Sequence, residues 1–102
     1  MAKTIAIFGG SQEQSFKKLG KKAGFEVLFH GGKTRNGGNK KSFKTLIEKS
    51  DCIVVLYGAC GHVSMDMIKE ISKKEGKNVI YQKGFGASGA IQACTEYFKQ
   101  VA

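Results

Sequence analysis

Short apolar runs alternate with longer amphipathic segments along the whole chain. The apolar runs cover residues 4–8, 25–30, 52–58 and 78–82. Each is too short to span a membrane and has the length of a buried strand. The segments between them carry apolar residues at helical spacing, which predicts four helices. The predicted apolar faces are Phe16, Leu19 and Ala23; Phe43, Leu46 and Ile47; Met65, Ile68 and Ile71; and Ile91, Cys94, Tyr97 and Phe98.

Strands that alternate with helices predict a parallel sheet covered by helices on both faces. We predict a three-layer, Rossmann/flavodoxin-like α/β fold with four strands in the order 2-1-3-4. The chain has 102 residues, near the usual domain size, and we expect one domain over residues 1–102. Residues 52–58 form the most hydrophobic run and predict a central strand that is covered on both faces.

A glycine turn follows the first strand. Gly9 and Gly10 let the backbone turn sharply and let a ligand approach, and Ser11 can cap the next helix. The free N–H groups of a helix N-terminus bind anions, although a tight turn without a ligand also explains these three residues. The full G-x-G-x-x-G spacing is missing, so a dinucleotide site is not predicted.

Residues 31–41, GGKTRNGGNKK, hold four glycines, four cations and no acid. This composition predicts either a mobile surface loop or a basic flap that grips phosphate, and its length favours the flap. We place the start of the second helix at Ser42. Lys40 and Lys41 would then precede a helix N-terminus, where cations are unfavourable unless an anion binds.

In a parallel α/β sheet the loops that follow the strands meet at the carboxyl end of the sheet, and ligands bind there, between strands 1 and 3. Here those loops cover residues 9–11, 30–41, 58–63 and 83–89, and they contain both histidines and no acid. We therefore predict a phosphate-binding or nucleic-acid-binding site at this end. Its predicted residues are Gly9, Gly10, Ser11, His30, Gly31, Gly32, Lys33, Arg35, Lys40, Lys41, Gly61, His62, Ser64, Lys83, Phe85 and Ser88.

The chain is strongly basic. It has 17 Lys and Arg against 8 acidic residues, a net charge of +9. Such an excess favours nucleic acid or a phosphorylated ligand as the partner, while a lysine-rich solubilising surface is the alternative explanation. Phe85 lies between two glycines, and an exposed ring there could stack on a base or fill a dimer contact. The other aromatic residues near this end, Phe8, Phe29, Tyr57 and Tyr81, are expected to pack in the core or at the end of the sheet.

Few residues suit catalysis. Cys60 and His62 are weak candidates for a nucleophile pair, because no orienting acid is evident. Together with His30 they could converge on a metal, but zinc-ribbon spacing is absent, and we predict neither a metal nor a cofactor. Cys52 and Cys94 fall on predicted core positions. Three cysteines without a signal peptide or an apolar run of 18 residues predict reduced thiols, no membrane association and a cytoplasmic location.

These observations predict a non-enzymatic domain that binds single-stranded RNA or DNA. Two alternatives remain open at this point. One is a sensor or enzyme that binds a nucleotide or phosphometabolite between strands 1 and 3. The other is a structural oligomerisation module, such as a homodimer, in which the glycines serve only as turns.

The order and spacing of several short motifs resemble a known family. The motifs are Gly9-Gly10, His30-Gly31-Gly32, Asp51–Val55, Val63-Ser64, Gly76-Lys77 and Gly86-Ala87-Ser88. In this order they are similar to the small bacterial proteins of the DUF2325 family, over nearly the whole chain. The resemblance implies a compact Rossmann-like domain and no known reaction. Family members often carry a histidine after the serine that opens the third helix, where this chain has Met65.

Overall fold

A computed structural model describes residues 3–10, 12–31, 40–57, 62–83 and 87–101. Strands and helices alternate along the chain, as the sequence predicts. The elements are β1 (Lys3–Phe8), α1 (Glu13–Lys22), β2 (Phe25–His30), α2 (Lys40–Lys49), β3 (Cys52–Leu56), α3 (His62–Glu75), β4 (Val79–Gln82) and α4 (Ala87–Val101).

The four strands form one parallel sheet in the order β2-β1-β3-β4. The predicted α/β class and strand order are therefore confirmed. Phe8, the last residue of β1, pairs with His30 of β2 on one side and with Val55 of β3 on the other. Because β1 and β3 are the inner strands, the turns that follow them lie at the middle of the carboxyl end.

Two apolar clusters cover the two faces of the sheet. Successive strand residues point to opposite faces, so Val54 enters the cluster with α1 and α4 while Val55 enters the cluster with α2 and α3. All five residues of β3 are buried, as predicted for a central strand. Helix residues Phe16, Phe43 and Ile68 complete the core.

Glycine and aspartate fix the ends of the elements away from the carboxyl end. Gly24 and Gly76 have positive φ (88° and 67°) and follow α1 and α3, a position at which glycine commonly ends a helix. After α3, the Lys77 N–H donates to the Ser72 carbonyl. Asp51 joins β3 to β1 at the amino end of the sheet, because its Oδ2 accepts a hydrogen bond from the Thr4 N–H at 2.8 Å.

The predicted cap of α1 was wrong by one residue, and the predicted start of α2 was wrong by two. The N-cap of α1 is Gln12, which makes no side-chain capping hydrogen bond, and the predicted cap Ser11 lies outside the described residues. Helix α2 begins at Lys40 rather than at Ser42. The Thr45 Oγ1 donates to the Lys41 carbonyl at 3.0 Å, which satisfies one acceptor of that first turn.

Candidate anion-binding site at the carboxyl end of the sheet

The turn after β1 is joined to the end of β2. Gly9 and Gly10 have φ of 116° and 89°, values that side-chain-bearing residues rarely adopt. The Gly9 N–H donates to the His30 carbonyl at 2.9 Å. A Cβ added at Gly31 would lie only 3.6 Å from the Gly10 carbonyl oxygen. The structure thus brings four predicted site residues together, with two backbones in close approach.

Three aromatic rings in contact position the start of α2 beside this turn. Phe43, in the first turn of α2, packs edge-on against His30 with ring centroids 4.6 Å apart. It also packs edge-on against Phe8 at 5.3 Å. Because Phe8 and His30 end neighbouring strands, Phe43 holds the N-terminus of α2 at the carboxyl end of β1 and β2.

His30 is half-buried in this cluster, and burial lowers the pKa of its imidazole below the ordinary value. The folded protein therefore favours the neutral ring. His30 has further interactions beyond these ring contacts. Because this imidazole is neutral, the end of β2 carries no charge. The positive charge near the site therefore comes from lysines.

The pKa of His30 predicts a pH dependence of folding. At a pH between 6.5, the ordinary pKa of histidine, and the lower pKa of His30 in the folded state, His30 is protonated in the unfolded chain and neutral in the folded chain. The free energy of unfolding is therefore expected to fall as pH drops below about 6.5. Urea unfolding measured from pH 8 to pH 5 should show this decline in the wild type and in a His62→Gln control. A His30→Gln variant with the same decline would contradict the assignment.

The first turn of α2 carries two cations. Lys40 and Lys41 both lie in it, Lys41 is exposed, and the turn has no acidic residue. The N-terminus of a helix carries partial positive charge, so these lysines oppose the helix dipole. In contrast, each of the four described helices ends with lysine in its last turn, where the dipole favours a cation. The last-turn lysines are Lys21, Lys22, Lys49, Lys73, Lys74 and Lys99.

Other predicted residues lie around the starts of α3 and α4. Helix α3 begins at His62, and Ser64 in its first turn is buried. Lys83, directly after β4, and Ser88, in the first turn of α4, are exposed. The described first turns of α3 and α4 contain no acid. Asp66 lies in the second turn of α3, since the helix begins at His62.

Sequence reasoning missed one acid near this end of the sheet. Glu13 lies in the first turn of α1, where the helix dipole favours a carboxylate. Its Oε2 is 2.7 Å from the Lys17 Nζ, and both side chains are about half exposed. The nearby cation therefore offsets the charge of Glu13, and the start of α1 adds little net negative charge to the site.

Several predicted residues lie outside the part of the chain that the structure describes. They are Ser11, Gly32, Lys33, Arg35, Cys60, Gly61 and Phe85. The side chains of Lys40 and His62 are likewise outside it. The weak nucleophile pair of Cys60 and His62 therefore stays a prediction. Within the described residues, no three His, Cys, Asp or Glu side chains are close enough to hold a metal ion.

The four aromatic residues near the carboxyl end differ in burial. Phe8 is buried, and Phe29 packs against Phe16 with ring centroids 5.5 Å apart. Tyr57 and Tyr81 are 41% and 46% exposed, so the core alternative was wrong for these two residues. Tyr81 is exposed because β4 is an outer strand of the sheet. Tyr57 is exposed because it follows the last residue of β3.

The two described cysteines are core residues, as predicted. Cys52 of β3 and Cys94 of α4 are fully buried in the cluster with α1 and α4. A hydrogen bond with Cys52, together with burial, raises the pKa of the Cys94 thiol. A thiol with a raised pKa is a poor nucleophile, so Cys94 is assigned to packing rather than to chemistry.

These features define a Rossmann-like α/β protein with a glycine turn and a lysine-bearing helix start at the carboxyl end of its sheet. The chain belongs to the DUF2325 family, described as "uncharacterized protein conserved in bacteria", whose match covers residues 4–97. None of the described helices is long and apolar enough to cross a membrane. No solved structure shows a significant match to the chain.

Curated relatives of nearly the same length carry the name UPF0751 protein. A Bacillus anthracis relative is 44% identical over 96 residues, which cover 94% of this chain and 96% of the relative. A Bacillus cereus relative is 47% identical over 89 residues, covering 87% and 89%. A Desulfitobacterium hafniense relative is 37% identical over 91 residues, covering 86% and 88%.

Proposed function

We propose that this protein is a non-enzymatic nucleic-acid-binding protein that holds single-stranded RNA or DNA at the carboxyl end of its sheet. One observation carries the proposal: Lys40 and Lys41 lie in the first turn of α2. At that position a positive charge is opposed by the helix dipole. A bound phosphate would offset this unfavourable term, because both the lysines and the free N–H groups of the helix start attract it.

The neighbouring residues support a phosphate at this position. Gly9, Gly10 and Gly31 carry no side chains, so a ligand can approach the backbone closely at the ends of β1 and β2. Lys33 and Arg35 precede Lys40 by seven and five residues in the sequence. An acid-free stretch with four cations is a suitable partner for a phosphate chain.

The extent of the positive surface favours a polymer over a single phosphate. Two strand spacings, about 10 Å, separate β1 from the outer strand β4. Exposed Lys41 lies in the first turn of α2, which contacts β1, and exposed Lys83 directly follows β4. Successive phosphates of one nucleic-acid strand could contact both lysines, whereas a single phosphate could not.

Charge removal at the site tests the proposal. We expect the variant Lys33→Gln/Arg35→Gln/Lys40→Gln/Lys41→Gln to bind a single-stranded oligonucleotide more weakly than wild type. Each lost phosphate contact lowers the slope of log affinity against log salt by about 0.7, so four lower it by about 3. Fluorescence anisotropy of a labelled oligonucleotide, at about 50 mM and about 200 mM salt, measures both quantities.

A charge-matched variant controls for the net charge. It replaces by glutamine the four last-turn lysines of α2, α3 and α4, which lie at the opposite end of the sheet. We expect this variant to keep most of the affinity and of the salt slope. Equal losses in the two variants would mean that only the overall charge matters and would overturn the proposed site. The control residues are Lys49, Lys73, Lys74 and Lys99.

The positive φ of both Gly9 and Gly10 also favours a second candidate, a nucleotide or phosphometabolite bound between β1 and β3. A small ligand of this kind would raise the melting temperature saturably. A shift with a mononucleotide that persists at about 200 mM salt, together with no oligonucleotide binding, would favour this candidate over the polymer.

A further inference from the structure

We infer that Tyr57 and Tyr81 form a stacking platform for unpaired bases of the strand held at the carboxyl end of the sheet. This inference rests on the proposed function and names the part of the ligand that the site recognises. Phosphates would contact the lysines and the backbone, and bases would lie against the two rings. Stacking of this kind accepts any base, because every base has a π-face.

The register of the sheet places the two tyrosines side by side. Tyr81 pairs with Val55 across β3 and β4, and Tyr57 is two residues after Val55. Tyr57 comes directly after Leu56, the last residue of β3, and β4 is the neighbouring strand. One strand spacing and two residues along the chain therefore separate the backbones of Tyr57 and Tyr81, about 8 Å.

Both rings are accessible. At 41% and 46% exposure, Tyr57 and Tyr81 are the exposed large hydrophobic residues of the part that the structure describes. Phe8 and Phe43, in the cluster with α2 and α3, are in contrast fully buried. The two exposed tyrosines leave ring faces on which bases can stack.

The platform lies between two groups that suit phosphate. Phe8 pairs with Val55, and Gly10 and Tyr57 each follow two residues later, so Tyr57 is level with the glycine turn. On the other side, Lys83 is two residues after Tyr81 and is exposed. The net charge of +9 favours an anionic occupant over a second copy of the chain, since two such surfaces repel each other.

Intrinsic fluorescence offers a direct test, because the chain has three tyrosines and no tryptophan. In a Tyr97→Phe variant, all tyrosine emission comes from Tyr57 and Tyr81. We expect an oligothymidylate to quench this emission saturably. An abasic oligomer with the same number of phosphates should bind more weakly and leave the emission nearly unchanged. Equal binding of the two oligomers would overturn the platform. This test needs no substitution at Tyr57 or Tyr81, so its result does not depend on whether such variants fold.

Affinity measurements on variants give the second test. Tyr57→Leu/Tyr81→Leu is expected to weaken oligothymidylate binding about 100-fold, roughly tenfold for each stacked base. Tyr57→Phe/Tyr81→Phe keeps both π-faces and should stay within about threefold of wild type. Thermal unfolding of each variant checks that the exposed positions tolerate the change.

The outcomes separate this inference from the proposed function. If the leucine variant binds like wild type while the charge variant does not, the platform is wrong and the nucleic-acid site stands. If wild type binds no oligonucleotide, the proposed function fails and the platform with it. If sedimentation shows that wild type self-associates and the leucine variant does not, the two rings belong to an interface between copies, which also overturns the platform.

Discussion

Phe43→Ala is expected to lower the free energy of unfolding by about 3–5 kcal/mol, the cost of removing a fully buried phenylalanine. Phe43 has no exposed surface, and its ring meets those of Phe8 and His30. The substitution leaves a cavity between two strand ends and the first turn of α2. A domain of this size has a total stability of about 5–15 kcal/mol, so the loss is a large share of it.

Urea or thermal unfolding of the Phe43 variants measures this loss. Phe43→Leu serves as the control, because leucine keeps most of the buried volume and should cost less than about 1.5 kcal/mol. A loss below about 1 kcal/mol for Phe43→Ala would show that the ring cluster does not position α2. The position of the first turn of α2 at the candidate site would then need another explanation.

Gly20→Ala is expected to destabilise the protein by about 1–3 kcal/mol, although alanine is the better helix former. Gly20 is buried in α1, directly against β2. A Cβ at this position would overlap the Val27 Cγ2 and lie 3.5 Å from the Ile91 Cδ1. The helix would have to move away from the sheet, or Val27 would have to leave its rotamer.

A double-mutant cycle with Val27→Ala separates the clash from other effects. In the Val27→Ala background the overlapping methyl is gone, so Gly20→Ala should become neutral or stabilising by up to about 1 kcal/mol. Gly89→Ala, in α4, is the matched control. Its Cβ would meet the flexible end of Gln82, which can move at little cost. If Gly20→Ala lowers the free energy of unfolding by the same amount in the wild type and in the Val27→Ala background, the contact with Val27 is not the cause.

Gly20 also shows how a sequence pattern can mislead. From the sequence it is a residue that weakens a helix, in the middle of a lysine-rich segment. In the structure it is a point at which the α1 backbone lies directly against Val27 of β2. Helical periodicity identifies which face of a helix is apolar, but it does not give the distance to the neighbouring strand. The short side chain is explained by that distance.

The candidate site was predicted in part. Gly9, Gly10, His30 and Gly31 follow strand ends, and any parallel sheet in this order brings them together. The start of α2 was placed too late, because Ser42 is a good capping residue. Lys40 and Lys41 join the helix instead, and Phe43 packs at the end of its first turn.

The sequence by itself determined the order of strands and helices, the parallel sheet and the gathering of glycines and cations at its carboxyl end. These follow from hydrophobic periodicity and from the rules of βα connection, which depend on local pattern and chain direction. Only the tertiary structure decided that Gly20 meets Val27, that Lys40 and Lys41 stand in a helix, and that Tyr57 and Tyr81 are exposed. The reason is that exposure and close contact depend on neighbours from distant parts of the chain.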